Sequence, residues 1–86
     1  MKTNALLHAP LEKVSPAVKR EMDWSRAIID KIDLLLKQKG MTQKDLARKV
    51  GCNETQITRW TKGFPNYTLS SLAKLSEALG EPLIEI

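Results

Sequence analysis

Residues 42–63 read TQKDLARKVGCNETQITRWTKG, and this segment contains the strongest local signals for helix ends. It predicts two short helices, because Thr42 and Asn53 are each suited to cap a helix N-terminus. Gly51 lies between them, at a position where a helix C-terminus favours glycine. So short a connection forces the two helices to cross steeply. We expect the second helix to occupy residues 53–62.

The apolar residues of this stretch predict which sides of the two helices face inward. Close crossing requires a small residue, and Ala47 supplies it. Asp45 is placed to complete a capping box with Thr42, and Gly63 is expected to close the second helix. The other inward positions are assigned to Leu46, Val50, Cys52, Ile57 and Trp60. The polar residues expected to face outward are Glu54, Thr55, Gln56, Thr58, Arg59 and Lys62.

An amphipathic helix is predicted before this stretch. Its apolar residues recur at steps of three and four, which is the helical period. They are Trp24, Ile28, Ile32, Leu35 and Leu36. Gly40 ends the helix. Ser15 followed by Pro16 predicts the start of a short helix that extends to about Met22, and the pattern leaves open whether the two helices are continuous.

A last helix is predicted after the central stretch, capped by Thr68 and ended by Gly80. Its apolar side is assigned to Leu69, Leu72, Ala73, Leu75, Ala78 and Leu79. Residues 81–86 are either an edge strand or a docked tail. The prediction is an all-α bundle of four to five short helices, with an N-terminal arm or short helix at 1–23, a helix-turn-helix domain at 24–80 and a tail at 81–86.

Composition favours one small domain and a polyanionic partner. The 86 residues carry a net charge of +4. Seven basic and two acidic side chains lie within residues 37–62, which suits nucleic acid, although a solvated basic face is the more common explanation. With Cys52 and His8 as the only cysteine and histidine, no internal disulfide, metal site or cofactor is expected. We expect a non-enzymatic, cytoplasmic protein, because neither a catalytic pair nor a long apolar segment is present.

The central stretch resembles the helix-turn-helix of the Cro/repressor family, also called the XRE family. The resemblance covers about residues 26–80. It is carried by Thr42-Gln43, Leu46-Ala47, Val50-Gly51, Ile57, Trp60, Gly63, Asn66, Thr68-Leu69, Leu72, Leu75 and Leu79-Gly80. It implies a compact repressor-like bundle whose recognition helix enters the major groove, while the preceding helix lies across the phosphate backbone. Residues 15–32, SPAVKREMDWSRAIIDKI, also resemble the lead-in helix of repressor-like proteins that are often antitoxins.

Side-chain chemistry suggests what each candidate contact would recognise. Arg59 suits guanine or a phosphate, Thr55 suits the methyl group of thymine, and Gln56 suits adenine or a phosphate. Glu54 suits cytosine, but an acid in the first helical turn is equally explained by the helix dipole. The complete set of candidate DNA contacts is Thr42, Gln43, Lys44, Asn53, Glu54, Thr55, Gln56, Thr58, Arg59, Lys62, Asn66 and Thr68.

The resemblance adds contacts to the DNA backbone. Gln43 matches the family's phosphate-binding glutamine, and Asn66 and Thr68 match loop and cap positions that touch the backbone. Lys44 and Lys62 are either phosphate partners or solvated charges. We assign both tryptophans, at positions 24 and 60, to the core, since both lie on apolar stripes.

Two functions remain open from the sequence. The first is a homodimeric repressor that binds a palindromic operator in double-stranded DNA. The second is an antitoxin that neutralises a small toxin protein and regulates its own operon. The second explains the apolar residues of the first 23 positions, which could fold on a partner. These residues are Leu6, Leu7, Leu11, Val14 and Val18.

Overall fold

The computed structural model describes residues 15–63 and 65–86, and these residues form four helices and no strand. The helices are α1 (Pro16–Lys39), α2 (Gln43–Val50), α3 (Glu54–Thr61) and α4 (Leu69–Leu79). The predicted all-α class is confirmed. Of the arm or short helix predicted at 1–23, residues 1–14 lie outside the described residues.

The first helix is continuous over 24 residues. Its N-cap is Ser15, whose Oγ accepts a hydrogen bond from the backbone N–H of Val18 at 3.2 Å. It ends at Gly40, as expected. The short helix predicted to end near Met22 and the helix predicted from Trp24 are therefore one element, because no helix-breaking residue separates them.

Side chains from all four helices form the core. The largest fully buried ones are Ile32, Leu35, Leu46, Ile57, Leu75 and Leu79. The helix α2 packs against α3 and α4, and α1 packs against the same two helices from the other side. Ala47 is buried where α2 meets its neighbours, in agreement with the small residue that the crossing requires.

The assignment of Trp24 to the core is wrong, because 62% of this residue is exposed. Ser25 is buried beside it, and Ile28 begins the part of the α1 stripe that packs in the core. At Trp24 the stripe has reached the edge of the domain, where the side chain lines an open groove. Periodicity placed Trp24 on the correct side of α1, but packing partners do not extend that far.

Two residues of the predicted apolar side of α4 are also exposed, namely Leu69 and Ala73. The buried stripe of this helix consists of Leu72, Leu75 and Leu79, and it is narrower than the apolar pattern suggests. Leu69 is the first residue of α4 and lines the same groove as Trp24.

The C-terminal segment is a docked tail, not a strand, as far as the described residues extend. Leu83 is buried in the core cluster. Its backbone N–H donates to Oγ of Ser76 at 2.9 Å, and this hydroxyl in turn donates to the carbonyl of Leu72 at 2.7 Å. The tail therefore closes the end of the core beside α4.

The core predicts that alanine substitutions of a buried and an exposed leucine differ strongly in their effect on stability. Leu46→Ala should lower the free energy of unfolding by roughly 2–5 kcal/mol, because it removes a fully buried side chain and leaves a cavity. Leu34→Ala is the control, since 53% of Leu34 is exposed, and it should change stability by less than about 0.5 kcal/mol. Chemical denaturation followed by circular dichroism measures both values. Equal losses would contradict this core.

Candidate nucleic-acid interface

The N-terminus of α2 is closed by a complete capping box, as predicted. Oγ1 of Thr42 accepts from the backbone N–H of Asp45 at 3.1 Å, and Oδ2 of Asp45 accepts from the backbone N–H of Thr42 at 3.0 Å. The hydrogen bond with the backbone of Thr42 is the main cause that lowers the pKa of Asp45, and the hydrogen bond with the Thr42 side chain is the next. The positive charges of Arg48 and Lys44 lower this pKa further. The carboxylate is therefore held in its charged form at the positive end of the helix.

The helix α3 begins at a cap that the sequence predicted. Oδ1 of Asn53 accepts from the backbone N–H of Gln56 at 2.9 Å. The first two helical residues, Glu54 and Thr55, are exposed, and one turn further on so is Arg59. These three side chains therefore project from the domain on consecutive turns of the helix.

The C-terminus of α3 differs from the prediction. The helix ends at Thr61 and its C-cap is Lys62 in an extended conformation, so that Gly63 follows the helix and does not close it. The hydroxyl of Thr61 donates to the carbonyl of Ile57 at 3.0 Å and lies 3.3 Å from that of Thr58. Carbonyl groups of the last turn thus gain a side-chain partner, and a left-handed cap is not required.

A glutamine connects the two helices of the motif. Oε1 of Gln43 accepts from the Thr58 hydroxyl at 3.4 Å, and its Nε2 donates to Oγ1 of Thr61 at 3.5 Å. The first residue of α2 is therefore positioned by the second half of α3. The sequence predicted that Gln56 and Thr58 face outward like the other polar residues of α3. In the structure both are half-buried.

The segment between α3 and α4 is anchored by Tyr67. Its hydroxyl donates to the carbonyl of Trp60, which packs against the core as expected. Burial, together with the negative charge of Asp33, raises the pKa of Tyr67 to about 12, so the phenol stays a hydrogen-bond donor at neutral pH. Asn66 and Thr68, on either side of Tyr67, are exposed close to the end of α3.

The cap of α4 is a second reciprocal pair. Oγ1 of Thr68 accepts from the backbone N–H of Ser71 at 3.0 Å, and Oγ of Ser71 accepts from the backbone N–H of Thr68 at 2.9 Å. Ser71 replaces the usual Glu or Gln of a capping box. Thr68 is thereby confirmed as a helix cap.

Three polar residues of this region were not identified from the sequence, namely Thr61, Tyr67 and Ser71. Thr61 is four residues after Ile57, which places it on the inner side of α3, so the helical period alone was sufficient to find it. Ser71 is three residues after a predicted cap, a spacing that also signals its role. Tyr67 has no comparable signal, because its partner is a backbone carbonyl.

Basic side chains are distributed over the outside of the motif and are exposed. They are Lys44, Arg48, Lys49, Arg59 and Lys62. The ion pair between Arg48 and Asp45, at 3.8 Å, is at the surface, so both groups remain hydrated. The motif therefore presents a positive surface to an anionic partner.

The site consists of two short helices that are joined by a short turn and pack against each other, and the second exposes polar side chains. These features define a helix-turn-helix DNA-binding domain. The family model for the Cro/C1-type helix-turn-helix DNA-binding domain matches residues 31–86, which include α2, α3, α4 and the last part of α1. The chain belongs to this family, and the predicted resemblance is confirmed. Searches of curated proteins and of solved structures returned no match.

The described residues also bear on metal binding and on membrane insertion. Residues 15–63 and 65–86 hold no group of three or more His, Cys, Asp or Glu side chains that could bind a metal ion. None of the helices over the same residues is long and apolar enough to cross a membrane. Cys52 is half-buried and packs against the core.

The capping box of α2 predicts a pH-dependent stability. The pKa of Asp45 is below its usual value of 3.8 in the folded state, so its stabilisation is present above that pH and is lost as the pH falls through the folded-state pKa. Asp45→Asn should be less stable than the wild type at pH 7, and the difference should shrink below about pH 4. Urea unfolding at several pH values measures it. A difference that stays constant down to pH 2.5 would contradict the assignment.

Proposed function

We propose that the protein is a sequence-specific regulator of transcription that binds double-stranded DNA as a dimeric repressor, with α3 in the major groove. The observation that carries this proposal is that Glu54, Thr55 and Arg59 are exposed on α3. The second half of the same helix holds Gln43 at the capped N-terminus of α2. A recognition helix uses its N-terminal residues at base edges while the preceding helix lies on the backbone.

Base recognition is assigned to the exposed side chains of α3. Arg59 can donate two hydrogen bonds to guanine, and Thr55 can place its methyl group against that of thymine. Glu54 is either an acceptor for cytosine or a favourable charge at the helix N-terminus. Thr58 is assigned an indirect role, because its hydroxyl already donates to the side-chain amide of Gln43. Thr58 would position this amide for contact with DNA.

Phosphate contacts are assigned to the edges of the same surface. Gln43 lies at the N-terminus of α2, where backbone amides favour an anion, and its amide is oriented by α3. Lys44, which follows Gln43 on α2, and Lys62, the C-cap of α3, are exposed cations. Asn66 and Thr68 would reach the backbone from the segment that Tyr67 anchors, and such contacts set the register without reading sequence.

Dimerisation is proposed because one recognition helix reads few base pairs. Two copies related by a two-fold axis would read two half-sites about one helical turn apart, ~34 Å, which predicts a palindromic operator. Small domains also bury a limited fraction of their surface, so a second copy would add stability.

Selection of bound DNA from a random pool tests this proposal and supplies the operator. On the selected DNA, Arg59→Ala should cost roughly 1–3 kcal/mol of binding free energy and relax the preference at one base pair. Lys62→Ala should weaken all sequences alike and lower the slope of log affinity against log salt by about one. Fluorescence anisotropy at several salt concentrations measures both effects.

Arg26→Ala is the matched control, since Arg26 is an exposed arginine on α1 that pairs with Asp30 and does not belong to the helix-turn-helix. It should leave affinity and preference unchanged. The proposal fails if the selected pool stays random. Equal losses for Arg59→Ala on all DNA sequences would make Arg59 a phosphate contact.

An antitoxin is the second candidate. The observation that favours it is the first part of α1, which precedes the family match at residue 31 and exposes Met22. An exposed apolar side chain on an unmatched helix suits a protein partner, although single exposed residues are also common on surfaces.

Co-expression with the product of a neighbouring gene of toxin size tests this candidate. The full chain should restore growth, and a chain without residues 1–23 should not, because the partner would bind there. The Arg59→Ala variant is the control and should still restore growth, since neutralisation would not require DNA. A neighbour that is not toxic alone, or equal rescue by the shortened chain, would exclude this function.

A further inference from the structure

An open apolar groove of about 600 Å³ lies between the first half of α1, the start of α4 and the C-terminal tail. Its apolar lining comes from three separate parts of the chain and includes Trp24, Leu69, Leu72, Leu83, Ile84 and Ile86. Leu72 and Leu83 form its buried floor, since both belong to the core cluster. The groove is therefore an opening onto the core and not a surface depression among polar side chains.

The rim of the groove consists of large side chains that are exposed to water. Trp24 is 62% exposed and Leu69 is 73% exposed, and Ile84 and Ile86 are exposed as well. These four side chains place exposed apolar surface around the opening of the groove. Exposed apolar patches on small proteins mark sites of interaction.

The groove is separate from the proposed DNA-binding surface but borders it. None of the residues that line it belongs to α2 or α3. Leu69 directly follows Thr68, a proposed backbone contact, so the groove starts where the DNA-facing segment ends. An occupant would thus lie beside the DNA and leave α3 free. Trp24 also precedes residue 31, where the family match starts, so the family model does not include it.

Charge favours a second copy of the chain as the occupant. In a two-fold interface the same patch is present on both sides, so a strongly charged patch would repel itself. Among the described residues that line the groove, Glu85 alone is charged. The outside of the helix-turn-helix, in contrast, carries the exposed cations Lys44, Arg59 and Lys62 and is unsuited to self-association.

We propose that this groove is the interface through which two copies of the chain associate, each placing its Trp24 rim against the apolar groove of the other. The inference rests on the proposed function, which requires a dimer, and it adds where the dimer forms. The groove and its exposed rim form a small surface compared with most stable interfaces, so the dimer is expected to be weak. It should therefore dissociate on dilution.

Sedimentation equilibrium of the DNA-free protein tests the interface. The double variant Trp24→Gln/Leu69→Gln should raise the dimer dissociation constant at least about tenfold, because it removes two large, exposed apolar side chains of the rim. The matched control is Met22→Gln/Leu34→Gln, which replaces two exposed apolar residues of α1 that do not line the groove. It should dimerise like the wild type. Thermal unfolding by circular dichroism verifies that both variants fold.

Three results would overturn the proposed interface. They are a wild type that stays monomeric up to millimolar concentration, a groove variant that dimerises normally, and a control variant that loses the dimer. Tryptophan fluorescence of the Trp60→Phe protein gives a further test, since Trp24 is then the only tryptophan. Blue-shifted Trp24 emission in the monomer would mean that the same chain fills the groove, which also overturns the interface.

DNA binding separates failure of the interface from failure of the proposed function. The groove variant should bind a single half-site with unchanged affinity and bind the full operator at least about tenfold more weakly. If no DNA sequence is selected but the groove variant still loses the dimer, the interface stands and the repressor function fails. If sequence-specific binding persists while the groove variant dimerises normally, the function stands and the interface fails.

Discussion

The short connection that packs α2 directly against α3 determines how the other parts of the domain are arranged. Gly51 adopts φ of +88°, a left-handed conformation that other residues rarely take, and it ends α2 within three residues of the start of α3. Ala47 allows the close contact, and the fully buried Leu46 and Ile57 hold the two helices against α1 and α4. A bulkier residue at 47 would separate the helices, and the exposed side of α3 would lose its orientation.

Neither α2 nor α3 is long enough to be stable alone. Each has eight residues, and isolated helices shorter than about 12–15 residues are marginal in water. Their stability must come from packing and from caps at Thr42 and Asn53, together with the Gln43 bridge between them. The surface proposed to meet DNA therefore depends on the packing of the whole domain, and it would be lost if α2 and α3 separated from the core.

Much of this architecture could be predicted from the sequence, because caps and glycines are local signals. Thr42, Asn53, Thr68 and Gly40 all occupy the expected ends of helices. The errors at Trp24 and Leu69 have a different cause. Periodicity shows which side of a helix is apolar, but whether that side is covered depends on how far its neighbours extend. Side-chain bridges such as that of Gln43 were also beyond prediction, since they depend on the distance between helices.

The exposed side of α3 has a consequence for how this protein can change over evolutionary time. Glu54, Thr55 and Arg59 make no contribution to the core, whereas Ile57 on the same helix is fully buried. Substitutions at exposed positions usually alter stability by less than about 0.5 kcal/mol. Under the proposed function, the preferred DNA sequence could thus drift through single substitutions at these positions while the fold is inherited unchanged.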